Sequence, residues 1–387
     1  MVTPTGPDAR TDTATAADTT TATAADTATA ADTATGPRSR PRLTVAVTGA
    51  AGMLGSRLAE RLAADGHHVR GIDLRPGPGV EVVGDIRDRA ALDRGLRGAD
   101  ILVHAAAALP SYPDEQIRSI IVDGTRTVFA AARAAGTPRV VHISSTAVYG
   151  LPRRVPTPET HPREPVDTYS RAKAAAEEIA ERHRADGLCV PILRPKTFVG
   201  PGRMGLFAML FEWAEEGRNF PVLGRGDVRT QMFGIDDLVD AVVTVLHAPD
   251  HLANDTYNLA AAEFGTLRED FQAVLDAAGH GKRVVGLPAR PALAVLDTLQ
   301  RAGLSPVYGR LLHKLTADSY VSIDKARDRL GFDPKLSNRD AVLRTYDWWR
   351  TARHETPAAP RTGGPDAGRT SRDPWSQGLL SAVKIFF

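Results

Sequence analysis

The chain has 387 residues, a formal charge of +2, and acids interspersed with bases. That length suits one large α/β domain with an appended lobe, or two domains, and the balanced charge argues against a nucleic-acid or membrane-surface binder. The single cysteine, Cys189, excludes an intramolecular disulfide and a zinc site built on cysteines; it suits a reducing, cytoplasmic setting, and no metal is expected. No run is apolar for long enough to span a bilayer, and the N-terminus lacks the apolar core of a signal peptide.

Residues 1–42 repeat Thr, Ala and Asp and offer no large side chain to bury, so a disordered tail is expected there. From Leu43 the pattern alternates. Strands are predicted at Leu43–Thr48, Val69–Asp73, Val80–Val83, Asp100–His104, Arg139–Ser144 and Leu188–Leu193. Helices are predicted at Ser56–Asp65, near Asp88–Leu96, over Gln116–Ala135 and over Tyr169–Arg184. Such alternation predicts an α/β fold, a doubly wound parallel (Rossmann) sheet spanning 43–200. Beyond Gly200 the helical stretches Leu206–Glu216 and Leu238–His247 mix with short strands such as Thr256–Leu259, and a last helix covers Arg339–Thr351. This predicts a smaller substrate-binding lobe over 201–353, interleaved with part of the sheet and lying at the strands' C-terminal edge. Residues 354–387 are expected to be a disordered or loosely docked tail with an apolar end.

Between the first strand and first helix lies Thr48-Gly49-Ala50-Ala51-Gly52-Met53-Leu54-Gly55. Gly49 permits a tight turn, Gly52 lets the backbone approach a pyrophosphate, and Gly55 lets helix and strand pack closely. The helix start, through Met53 and Leu54, then offers N–H groups to phosphate. A tight turn without ligand is the plain alternative. Asp73 ends the second strand eighteen residues after Gly55. There a carboxylate accepts both ribose hydroxyls and repels a 2′-phosphate, favouring NAD over NADP; Arg75 partly offsets that repulsion, and a turn or cap role is the alternative. Asp85, followed by Ile86, is placed to reach an adenine amino group. After His104, the small residues Ala105 and Ala106 let the backbone pass close to the cofactor. His104 itself is expected to be a packed strand-end histidine.

Tyr169 and Lys173 share one face of a helix at i,i+4. A phenol with pKa about 10 is a poor base at neutral pH, and a neighbouring ammonium lowers that value. Lys173 thus activates Tyr169 and holds the nicotinamide ribose; a plain surface helix is the alternative. The strand through Val140 ends in hydroxyl residues, Ser144-Ser145-Thr146, one of which can hydrogen-bond a substrate oxygen as it changes between alcohol and carbonyl; hydroxyls capping their own backbone are the alternative.

Together with Gly84-Asp85-Ile86, Ser144-Ser145-Thr146-Ala147-Val148-Tyr149-Gly150, Leu193-Arg194-Pro195, Gly200-Pro201-Gly202-Arg203, Ile235-Asp236-Asp237-Leu238 and Tyr257-Asn258-Leu259, these motifs resemble those of the extended short-chain dehydrogenase/reductases, and in particular the NAD-dependent epimerase/dehydratase family, over Leu43 to about Thr351. The resemblance implies Tyr169 as general base, Lys173 as its electrostatic partner and Ser145 as hydrogen-bond donor to substrate. It also implies Pro195 as a cofactor contact, Thr146, Lys196, Thr197, Arg203 and Arg229 as substrate contacts, NAD as cofactor, and a homodimer built on helices 116–135 and 169–184.

The family's sugar dehydratases carry Asp-Glu where this chain has Thr146 and Ala147, which cannot expel water, so dehydration is not expected. Nucleotide-sugar epimerases need no such group, and Arg229 roughly matches their diphosphate-clamping arginine, one residue farther from Asp237 than the usual pattern; a solvated surface charge is the alternative. Thr197 and Ile121 stand where epimerases commonly have Asn, with Lys196 a replacement charge. Those departures support a second reading, a dehydrogenase or ketoreductase of the hydroxysteroid-dehydrogenase or flavonol-reductase type, its apolar pocket lined by Leu287–Pro306. A third is a non-catalytic NAD sensor or scaffold.

Overall fold

The computed structural model describes residues 41–152, 154–202, 205–288, 291 and 317–355. The sequence-based expectations for both tails, for Arg203 and for nearly all of the Leu287–Pro306 lining lie outside these residues.

Strands β1 (Thr44–Thr48), β2 (His68–Asp73), β3 (Val80–Val83), β4 (Ile101–His104), β5 (Arg139–Ile143), β6 (Ile192–Pro195) and β10 (Thr256–Leu259) form one sheet. Its order is β10-β6-β5-β4-β1-β2-β3, parallel throughout. The chain reverses its winding between β1 and β4, where sheets of this kind open a crevice at the strands' C-terminal ends. The β-branched runs are buried on both faces, as an all-parallel sheet requires. Val45, Val47, Val141 and Ile143 pack with Leu54, Leu58 and Leu62 of α1 (Met53–Ala64) and with α7 (Ile235–His247). Ala46, Leu102, Val140 and Ile192 pack with α2 (Arg89–Leu96), α4 (Gly124–Ala134) and α5 (Thr168–Ala185) on the other face. Each fully buried Leu or Val contributes roughly 1.5–3 kcal/mol relative to exposure.

Two predicted elements differ in detail. The sixth strand pairs from Ile192 rather than Leu188. Residues before it still accept bonds from β5, Val140 N–H to Cys189 O and His142 N–H to Pro191 O, but Pro191 has no N–H to return and Val190 N–H goes to Asn254 instead. The helix read over 116–135 is α3 (Asp114–Arg118), a widened π-type turn at Ser119–Asp123, and α4. Such a turn is frequent at functional sites, and Ile121 within it is buried with Ile117, Ala108, Ala172 and Ala176 beside Tyr169.

The second core joins α6 (Leu206–Glu215), the strand pair β8 (Phe220–Leu223) and β11 (Val284–Leu287), α9 (Leu267–Ala278) and the last helix, α11 (Asn338–Glu355). Between the cores run β7 (Phe198–Val199) and β9 (Phe233–Gly234), while α8 (Asp250–Ala253) and α10 (Asp324–Leu330) pack on the first core through Ala253 and Ala326. Asn338 ties the second core to the strand leading into β9. Its Oδ1 accepts Met232 N–H at 2.7 Å, and its amide donates to Thr230 O at 2.6 Å and to Asp270 Oδ2 at 2.9 Å. Asp270 is 2 % exposed.

Burial pushes Asp270 up to about 6, against the opposing hydrogen bond from Asn338. Folding therefore favours its protonated form. The stability associated with that proton is complete below the carboxyl's ordinary value and is lost as pH rises to about 6. Asp270→Asn should remove this slope. Denaturant unfolding of both proteins should show the variant gaining about 2 kcal/mol relative to the parent between about pH 4 and about pH 7.

Candidate active site

The loop after β1 is shaped by close backbone approach. Gly49 has φ +74°, and a Cβ there would lie 2.8 Å from Ala106 N. A Cβ on Gly55 would lie 2.1 Å from Gly49 O, and one on Gly52 3.0 Å from the same oxygen. The three glycines thus let the first turn of α1 fold against the loop and let the loop touch the end of β4. Met53 and Leu54 are buried, so the first turn of α1 is anchored in the core. No side chain caps that turn, whose N-cap is Gly52. Uncapped N–H groups and a backbone free of side chains fit a pyrophosphate.

Asp73 is 9 % exposed at the end of β2. Its Oδ2 accepts Ala51 N–H and its Oδ1 accepts Arg75 N–H, both at 3.0 Å. The carboxylate therefore braces the glycine loop, and each oxygen keeps a lone pair suited to a ribose hydroxyl. The Asp85 carboxylate accepts from Arg87, backbone N–H at 2.8 Å and Nε at 3.0 Å, so an adenine contact there would be shared with that arginine. Ile86 is buried against Gly124 at the start of α4. Ala105 and Ala106 lie half-buried at the end of β4, where Thr48 Oγ1 accepts Ala106 N–H at 3.3 Å. His104 is the packed residue the sequence suggests: 2 % exposed, its Nδ1 2.8 Å from Thr48 Oγ1 and its Nε2 3.1 Å from Thr125 Oγ1. Burial, with His142 and Lys173 nearby, keeps it neutral.

The catalytic candidates gather at the end of β5. Helix α5 starts at a capping box in which Asp167 accepts Ser170 N–H and Ser170 Oγ accepts Asp167 N–H. The box sets Tyr169 in the first turn, half-buried on the Ile117–Ile121 cluster. Lys173, one turn on and 4 % exposed, donates from Nζ to Ile143 O at 3.0 Å. Two residues after that carbonyl comes Ser145, whose Oγ accepts Ala147 N–H at 3.1 Å and keeps its O–H as a donor. Burial lowers Lys173 to about 8, and the Glu177 carboxylate resists that fall.

Behind these groups lies a polar network that the motifs alone did not reveal. Glu177 is fully buried and pairs with Arg194, which also donates to Tyr149 Oη at 2.8 Å. Tyr149 in turn donates to Asn258 Oδ1 at 2.8 Å. Glu177 is i+4 from Lys173, the spacing of a helical ion pair; its partner Arg194 lies on a strand and left no mark in the sequence pattern.

The substrate-side candidates divide. Thr146 is buried, its Oγ1 3.5 Å from the carbonyl of Pro195. Lys196, 7 % exposed, donates to Ser319 Oγ at 2.7 Å, whereas Thr197 is exposed. Ser319 also hydrogen-bonds the strand carrying Arg229, so Lys196 and Arg229 meet around one segment. The Arg229 guanidinium lies 4.8 Å from the Phe264 ring centre and 5.1 Å from that of Tyr320. Among the described residues no group of three or more His, Cys, Asp or Glu is arranged to hold a metal ion, and no helix is long and apolar enough to cross a membrane.

The model of the NAD dependent epimerase/dehydratase family matches residues 45–260, and the chain belongs to that family. Its members are NAD-dependent enzymes of the extended short-chain dehydrogenase/reductase type, and NAD is the cofactor. The chain is 36% identical over 355 residues to the uncharacterized protein y4nG of Sinorhizobium fredii, covering 88% of this chain and 85% of that one. It is 30% identical over 332 residues to a 3 beta-hydroxysteroid dehydrogenase/Delta 5-->4-isomerase of Mycobacterium tuberculosis, covering 79% and 90%. The fold is similar to that of a UDP-glucose 4-epimerase from Thermotoga maritima, with TM-score 0.67 and 21% identity over 80% of this chain and 99% of the other.

Gly55→Ala should distort the cradle, because the added methyl meets backbone rather than a movable side chain. Titration calorimetry should show NAD affinity lowered at least about tenfold, with the fold retained by circular dichroism.

Proposed function

We propose that the chain is an NAD-dependent epimerase of a nucleotide sugar, inverting a secondary alcohol by oxidation and re-reduction in one site. When bound, NAD accepts and returns the carbinol hydrogen as hydride. Tyr169 takes the hydroxyl proton and gives it back. Lys173, held by Ile143 O, lowers the pKa of that phenol through its charge. Ser145 donates to the substrate oxygen in both oxidation states. Thr146 and Ala147 bring no carboxylate, which argues against dehydration. The observation that carries the substrate class is Arg229. Phe264 and Tyr320, in contact with each other, form one aromatic surface on which its guanidinium rests, and its N–H donors suit a diphosphate. Lys196 adds a second cation nearby.

A second reading is a net dehydrogenase for an apolar ring alcohol. It is supported by the hydroxysteroid-dehydrogenase relative and by Lys196, whose ammonium is bonded to Ser319, together with Thr197 in place of an amide. Native mass spectrometry and incubation with UDP-glucose, followed by NMR, separate the two. Retained NAD and inversion without added cofactor are expected. Reduction of external NAD by a 3β-hydroxysteroid, with no inversion of UDP-glucose, would establish the second reading instead.

Under either reading Tyr169→Phe should lower turnover by about 10²–10⁴-fold with NAD affinity nearly unchanged. Arg229→Ala should raise KM for UDP-glucose about tenfold while kcat changes little.

A further inference from the structure

Glu177 has no exposed surface, yet four donors surround its carboxylate. Ser144 Oγ–H donates to Oε1 at 2.5 Å and Arg194 Nε to Oε1 at 2.9 Å. Arg194 Nη2 donates to Oε2 at 2.6 Å and Arg163 Nη1 to Oε2 at 3.2 Å. Burial alone would raise this carboxyl; Arg194, Ser144 and Arg163 outweigh it and hold the group ionised. A buried ion pair is weak evidence for stability, since removing charges from water offsets much of the attraction. Its placement, however, is specific. Ser144 is covalently next to Ser145. Glu177 is one helical turn from Lys173 and two from Tyr169. Arg194 directly precedes Pro195. One carboxylate therefore joins the strand end, the helix and the neighbouring strand that carry every catalytic candidate.

We propose that Glu177 is the positioning residue of this site: it locks α5 against the strand end bearing Ser145 and supplies the buried negative charge one turn below Lys173. This rests on the reading of Tyr169 as the base. Lys173 faces His104 from β4 and His142 from β5, both neutral through burial. Glu177 faces Arg194 from β6 and Arg163 from the loop before α5, with Arg184 farther along its own helix. Arg163 is also shared with Glu181. Removing the Glu177 charge leaves Arg194 uncompensated near Lys173. The ammonium then loses its proton more readily, and the phenol of Tyr169 loses its electrostatic support.

The test is the ionisation of Tyr169 in the NAD-bound protein, read as phenolate absorbance of the parent minus that of Tyr169→Phe across pH. Glu177→Gln, with its own Tyr169→Phe subtraction, should move the midpoint up by about one pH unit, tenfold in the acid constant. Ser144→Ala keeps the charge and should move it distinctly less. Should Glu177→Gln fail to fold, Glu177→Asp takes its place, with an upward shift of about half a unit expected from a carboxylate drawn away from its partners. An unchanged or lowered midpoint in a folded Glu177 variant overturns the proposal, as do equal shifts from Ser144→Ala and the Glu177 variant, which would mark a loss of packing only. A parent midpoint at the ordinary tyrosine value of about 10 would instead overturn the assignment of Tyr169 as base, and this proposal with it.

Discussion

A carboxylate without water must have its lone pairs met by donors, and Glu177 meets this demand by drawing three separate chain segments to one point. Ser144 comes from the end of β5, Arg194 from β6 and Arg163 from the loop before α5. Tyr149 and Asn258 extend the network to β10. Where the active-site side chains stand relative to one another follows from it, since each is a near neighbour in sequence of a network member.

The dinucleotide end rests on the opposite principle. There the backbone must come close, and side chains are absent so that it can. Gly49, Gly52 and Gly55 leave the turn bare, Ala105 and Ala106 keep the adjoining strand end small, and Asp73 stiffens the turn from the side. The row Thr48–His104–Thr125 pins β1, β4 and α4 together just beneath. A polar, densely bonded support thus lies behind the end of β5 and a bare backbone at the loop after β1, the latter suited to phosphate.

The substrate side is where this chain departs most from a sugar-nucleotide pattern. Lys196 replaces reach with charge, and its ammonium is directed to Ser319 rather than outward. Arg229 rests on two aromatic rings, and its backbone N–H donates to the Asp318 carboxylate.

Local chemistry made much of this molecule legible from its sequence. The β-branched runs, the glycine turn, Asp73 at a strand end and the i,i+4 pair of Tyr169 and Lys173 act over a few residues, and the alternating pattern implied a parallel doubly wound sheet. Those short-range rules also place α5, whose capping box lies wholly within Asp167–Ser170. What the sequence could not reveal are partners brought together by the fold. Arg194 with Glu177, Lys196 with Ser319, and Arg229 with Phe264 and Tyr320 lie far apart in sequence with no periodic trace, and Asp85 turning to Arg87 depends on how one loop closes. The start of β6 was misread because Pro191 and Asn254 redirect hydrogen bonds, an effect set by which strand lies alongside. Secondary structure follows from the chain's own steric and hydrophobic periodicity; the electrostatic surroundings of Lys173 exist only once α5 is pressed onto β5 and β6.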